Sequence, residues 1–207
     1  MKVTFTLIVL LLAAMMPPAW AKTSGEVEIG QGLRDAPMQG LSGPSRLLSD
    51  YRGKPLIINV WASWCGPCRQ EMASLERLFR RYGGKHFTMI GISTDDYPDA
   101  AMAFLKQSGT TFSHFIDRRL VLENMLGADR LPLTLLVDAR GRVLAKFVGA
   151  KDWDSPQALE VIRKSFRLQG GQAADAASPE RAQRAPGSAG NRLSLVRPHQ
   201  LRACPSA

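Results

Sequence analysis

Between residues 26 and 166 the apolar positions switch repeatedly between the period of a strand and the period of a helix, the mark of an α/β domain. The run 55–61 is the strongest strand, because Leu56, Ile57, Ile58 and Val60 are apolar on both faces and so predict a place in the middle of a sheet. A helix is predicted over 67–82. There Met72, Leu75, Leu78 and Phe79 recur at helical spacing, Arg69, Glu76, Arg77 and Arg80 fall largely opposite them, and Gly83-Gly84 stops the run. A second buried strand follows over 87–93, a helix over 99–108 closed by Gly109, a short edge strand over 112–116 and a short helix over 119–126. Strands 133–137 and 143–148 flank Asp138-Ala139-Arg140-Gly141, a hairpin signal, and 155–168 reads as a closing amphipathic helix with Ser155 as N-cap and Pro156 at its first position. Upstream, 27–29 reads as a short strand and 36–52, rich in Gly, Pro and Ser, as loop and turn.

The two ends differ from this pattern. Lys2 precedes an almost unbroken apolar run from Val3 to Met16, followed by Pro17, Pro18 and the small-residue pattern Ala19-Trp20-Ala21. Residues 1–21 therefore read as a secretory signal peptide cut after Ala21. The alternative is an uncleaved anchor, for which the run falls short of the roughly 20 residues of a spanning helix. Either way the remainder is exported. Residues 169–207 are rich in Ala, Gly, Pro, Ser and Arg and contain no aromatic residue, so they read as a disordered tail that cannot bury enough apolar area to offset its ordering entropy. One folded domain, 22–168, remains between them.

The net charge of +9 raises the question of nucleic acid, but no block of Lys and Arg interleaved with aromatics exists, and a mildly basic solvated surface is the better reading. Three cysteines make an odd count for an exported protein. Cys65 and Cys68 stand three apart, whereas Cys204 lies in the tail, which leaves one pair and one spare thiol. His86, His114 and His199 are scattered, so no metal ligand set and no cofactor is expected.

Placement gives the pair its meaning. Trp64-Cys65-Gly66-Pro67-Cys68 lies between a buried strand and the first turn of a helix, where unpaired backbone amides and the macrodipole stabilise a thiolate. Cys65 is expected to titrate below the free-thiol value of about 8.5 and to attack a partner disulfide. Cys68, one turn on, then resolves the mixed disulfide. Pro67 stiffens the first turn without removing a needed donor. An inert structural disulfide is disfavoured, since so short a loop constrains little chain entropy. Leu131-Pro132 precedes the strand 133–137, where Pro is awkward unless it has a task. If that bond is cis, Leu131 presents its backbone to an incoming peptide beside the cysteines, as a short added strand; the alternative is an ordinary trans proline.

Asn59-Val60-Trp61-Ala62-Ser63-Trp64-Cys65-Gly66-Pro67-Cys68-Arg69-Gln70-Glu71-Met72, followed by Leu131-Pro132-Leu133-Thr134-Leu135-Leu136-Val137-Asp138, resembles the TlpA and ResA group of thioredoxin-like proteins over roughly residues 26 to 166. The resemblance implies a thioredoxin-like fold, with a central mixed β-sheet and helices on both faces. It implies a reducing role in the periplasm, or at the outer face of the membrane, on cytochrome c apoproteins, metal-site assembly factors or other exported thiol proteins, with a membrane thiol-disulfide reductase as electron donor. It places Cys65 as nucleophile, Cys68 as resolving residue and Pro132 as the cis-proline. Asn59 falls where cytosolic thioredoxins have a buried acid. Glu71 matches an acid of the group and shares a helix face with Cys68, where it tunes the thiols or relays a proton, unless it is a solvated ion-pair partner of the nearby arginines. Trp64 is expected to shield the sulfurs or to pack at the loop edge.

Two departures stand out. Ala73 occupies the place of a helix-bending Pro, and Leu133 that of an acidic residue in the branch dedicated to cytochrome c assembly. Two other readings remain open: a thiol peroxidase of the same fold, although no Thr precedes Cys65 in its segment, and a non-enzymatic copper or metal chaperone using Cys65, Cys68 and a distant His. The Gly-Pro spacer resembles that of thioredoxin, near about −270 mV, more than the oxidant DsbA near about −120 mV, and so points to a reductant.

Overall fold

The structure, a computed structural model, describes residues 25–41 and 43–168. The expected signal segment 1–21 and the tail 169–207 with Cys204 lie outside the described residues. The chain order is β1 (Pro37–Gly40), β2 (Arg46–Leu47), a single 3-10 turn (Leu48–Tyr51), β3 (Leu56–Trp61), α1 (Gly66–Tyr82), β4 (Thr88–Ser93), α2 (Pro98–Ser108), β5 (Ser113–Ile116), α3 (Val121–Leu126), β6 (Leu133–Val137), β7 (Val143–Val148) and α4 (Pro156–Phe166). The strands form one mixed sheet in the order β2-β1-β5-β4-β3-β6-β7. β3, β4 and β5 run parallel, joined through α1 and α2, while β6 and β7 add antiparallel on one side and β1 and β2 on the other.

The alternation of side chains along each strand builds two cores. Leu56, Ile58 and Val60 of β3, with Ile90, Ile92, Phe115 and Leu135, face the cluster that takes in α3 and the segment from Val27 to Leu48. Ile57 and Trp61 face the other way, with Met89 and Leu136, into a cluster filled by α1, α2 and α4. All six residues of β3 are buried, as its two-faced apolar pattern requires. Asn59 and Thr134, the polar residues of β3 and β6, are register partners on the α1 side of the sheet.

On the same face His114 packs 4.3 Å from Phe112, centroid to centroid, and edge-on to Trp61. Burial pulls its pKa down to about 3, so the ring stays neutral and serves packing. Gly91 is required beside it, since a Cβ there would overlap the His114 ring and the Trp61 indole. The hairpin between β6 and β7 is held by Asp138, whose Oδ1 accepts from the backbone amides of Arg140 and Arg142, and Gly141 adopts φ +84°.

Three expectations need correcting. Residues 27–29 form no strand; Val27 donates a single backbone bond to Met125 and packs its side chain into the core. The stretch 36–52 is not all loop, because β1, β2 and the 3-10 turn lie within it. Its Pro, Gly and Ser content hid strands that exist through pairing, β1 with β5 and β2 with β1, while Met38 alone fills the core from β1. β5 is consequently not an edge strand, since β1 covers its outer side. Helix limits shift by one or two residues, within the fraying common at helix ends.

Candidate active site

β3 ends at Trp61, a turn follows in which Cys65 N–H donates to Ala62 C=O (3.1 Å), and α1 begins at Gly66. Cys65 is the N-cap of α1, and its Sγ accepts from the backbone N–H of Cys68 at 3.2 Å. Pro67 sits in the first turn, where the missing donor costs nothing. Cys65 and Cys68 are joined as a disulfide, with their Cα atoms 5.3 Å apart. Opening that bond leaves a Cys65 sulfur facing a free amide at the positive end of a 17-residue helix, the setting that favours a thiolate. The two sulfurs differ in access: Cys65 is 6% exposed and Cys68 0%. Cys68 is thus the more deeply enclosed of the two sulfurs.

Behind the pair lies a buried polar cluster built from four elements. Glu71, three residues beyond Cys68 on α1, is 2% exposed. Its Oε1 accepts from Asn59 Nδ2 at 2.8 Å, and its Oε2 accepts from Trp153 Nε1 at 2.9 Å and from Lys151 N–H at 3.1 Å. Asn59 Nδ2 also donates to Thr134 Oγ1 (3.1 Å). Ser74 Oγ fastens the same loop by accepting from Trp153 N–H at 3.0 Å. Burial raises the Glu71 pKa above the ordinary carboxylate value, and the hydrogen bonds from Trp153, Lys151 and Asn59 offset only part of that. The solvated ion pair is therefore the wrong picture for Glu71. What the sequence could not show was Trp153, eighty-two residues downstream, closing over it.

Asn59→Asp would set a second carboxyl against Glu71 in this site, and two adjacent buried carboxyls do not both ionise. The variant is expected to melt about 3–8 °C below the parent at pH 8, with the deficit shrinking by pH 5, as read in thermal denaturation scans.

The Leu131-Pro132 bond is cis, and Leu131 packs against the cluster that contains Cys65 and Cys68. Among the described residues no backbone hydrogen bond engages Leu131, whereas Pro132 C=O is taken by Gly149 N–H at 2.8 Å. Trp64 does not pack at the loop edge: it is 71% exposed beside the nearly buried Cys65. Among the described residues no three His, Cys, Asp or Glu side chains gather in a way that could hold a metal ion.

One residue at this end of the sheet escaped the sequence reading. Asp95, two residues past β4, is buried and bonded to Ser63 in the turn before Cys65. The available signal was a carboxylate just outside the carboxyl end of a central parallel strand, a recurrent place for functional groups.

The Redoxin family model matches residues 37–162 of the chain. Thiol-disulfide oxidoreductase ResA of Geobacillus thermodenitrificans is 31% identical over 161 residues, which cover 76% of this chain and 92% of that protein. The thioredoxin-like protein YneN of Bacillus subtilis is 29% identical over 133 residues, 63% of this chain and 77% of that one. Among solved structures, the thiol:disulfide interchange protein DsbE of Chlorobium tepidum superposes with a TM-score of 0.63 at 28% identity, covering 68% of this chain and 99% of that chain. A DsbF homologue from Corynebacterium diphtheriae gives 0.57 at 25% identity, with 73% and 98% covered.

Proposed function

Because this chain belongs to the Redoxin family and is a thiol-disulfide oxidoreductase of the ResA and DsbE type, we propose that it is an exported reductant of protein disulfides, with Cys65 as nucleophile and Cys68 as resolving residue. The observation that carries this reading is Cys65 Sγ seated on the Cys68 amide at the start of α1, with Cys68 buried behind it. In the forward exchange the Cys65 thiolate attacks a substrate disulfide, and the departing substrate sulfur takes up a proton. Cys68 then gives up its proton and displaces the second substrate sulfur, so that two electrons pass to the substrate and the Cys65-Cys68 disulfide forms.

Glu71 is the acceptor for the Cys68 proton in this scheme, its raised pKa making it a stronger base than an exposed carboxylate. Leu131 supplies free backbone groups to an extended substrate segment, and Trp64 lies at the rim where that segment enters. The substrates are exported proteins such as cytochrome c apoproteins or metal-site assembly factors, with a membrane thiol-disulfide reductase returning electrons. Residues 1–21 act as the export signal or as a membrane anchor and residues 22–168 as the working domain; this placement belongs to the extracytoplasmic side, the periplasm in a cell with two membranes.

The test is equilibration with glutathione. A reduction potential near the thioredoxin value, about −270 mV, is expected, and one near about −120 mV would make the protein an oxidant instead.

A further inference from the structure

Opening the Cys65-Cys68 disulfide removes the side-chain cross-link that fixes the Cys65 sulfur against α1, so something else must keep that sulfur on the Cys68 amide while the protein is reduced. The turn itself is closed by one backbone bond, from Cys65 N–H to Ala62 C=O. Its middle residue, Ser63, is gripped from the neighbouring loop after β4. Ser63 N–H donates to both carboxylate oxygens of Asp95, at 2.9 and 3.2 Å, and Ser63 Oγ donates to Oδ1 at 2.6 Å.

Asp95 is itself fixed. Ser93 Oγ donates to its Oδ2 at 2.7 Å, and its own N–H donates to Ser93 Oγ at 3.1 Å. Thr94 N–H extends the ladder onto Trp61 C=O at 2.9 Å, so the loop starts in register with the end of β3. Only 2% of Asp95 is exposed. A buried carboxylate is costly to desolvate, while its bonds are stronger than those of a neutral acceptor.

We propose that Asp95 is a positioning residue for disulfide exchange, which clamps Ser63 so that the Cys65 thiolate stays on the Cys68 amide once the disulfide is open. The inference rests on Cys65 being the nucleophile. It differs from any direct charge effect in sign. Loss of a nearby negative charge by itself lowers a thiol pKa, whereas loss of position raises it toward that of a free thiol.

The experiment follows the pH dependence of iodoacetamide alkylation at Cys65 in the reduced full chain, for the parent, Asp95→Ala and Asp95→Asn. Asp95→Ala is expected to raise the midpoint by about one pH unit, roughly a tenfold slower reaction at pH 6, because all the acceptor atoms are gone. Asp95→Asn keeps an acceptor oxygen for Ser63 and is expected at or below the parental midpoint. A profile for Asp95→Ala that superimposes on the parent, even with a lowered melting temperature, overturns the proposal, as does an Asp95→Asn profile raised equally. If Asp95→Ala does not fold, Ser63→Ala, which removes only the 2.6 Å bond, is expected to slow the reaction at pH 6 about threefold, and no change there is equally fatal. A parental midpoint already at the free-thiol value sinks the nucleophile assignment itself. A depressed parental midpoint that Asp95→Ala leaves in place sinks only the role of Asp95.

Discussion

Cys65→Ala is expected to reduce disulfide turnover at least about a thousandfold, while Cys68→Ser leaves the first attack intact and stalls as a mixed disulfide with substrate. The asymmetry follows from burial. With Cys65 gone, the remaining sulfur of the pair is wholly enclosed by α1 and the sheet and cannot meet a disulfide on another protein. With Cys68 replaced, the more accessible sulfur of Cys65 and its amide donor at the helix start are unchanged, but nothing stands behind the bond to displace the product. Insulin reduction with excess dithiothreitol measures the first effect, and non-reducing electrophoresis after incubation with substrate shows the second. Comparable residual turnover in the two variants would mean that the sulfurs have no division of labour.

Glu71→Gln is expected to slow turnover about 10- to 100-fold at neutral pH, with the loss in the resolving step, because the amide cannot take a proton from Cys68. It is also expected to change how stability depends on pH. Folded Glu71 holds its proton more tightly than the unfolded chain does, since burial raises its pKa above the ordinary glutamate value of 4.5. Between that value and the raised one the native state binds more protons than the unfolded state. Stability is therefore greatest below about pH 4.5 for this group and falls as the pH rises through the folded pKa. Glu71→Gln lacks this decline, so urea midpoints of parent and variant should diverge with increasing pH, the variant changing less. Parallel curves would show that Glu71 carries no displaced proton, and the base assignment would fail with them.

The parts of this molecule legible in the sequence are those where one strong local signal coincides with a long element. The two-faced apolar run of β3, the Cys-Gly-Pro-Cys start of α1 and the Asp138 to Gly141 turn each specify their own geometry. β1 and β2 are too short and too exposed to show a period, and pairing makes them strands, β1 against β5 and β2 against β1, in spite of the Pro, Gly and Ser in and around them. β5 becomes an interior strand for the same reason.

At the site, Cys65 and Cys68 stand next to each other in the chain, whereas the environment of Glu71 is assembled from Asn59, Lys151 and Trp153, far apart in sequence. A clue was present in Asn59 and Thr134, each a lone polar residue in an otherwise apolar central strand. Asp95 had only its place after β4 to recommend it, and its partner Ser63 is indistinguishable from any other loop serine until β3 and β4 are laid side by side.

The proposed exchange depends on the Cys65 sulfur being ionised near neutral pH by the amide and dipole at the start of α1. The direct measurement is the midpoint of the pH dependence of thiolate absorbance near 240 nm in the reduced protein, with Cys68→Ser and Cys204→Ser combined to isolate Cys65. A midpoint about one unit or more below 8.5 is expected, which at pH 7 raises the thiolate fraction severalfold over a free cysteine. A midpoint at or above 8.5 would contradict it.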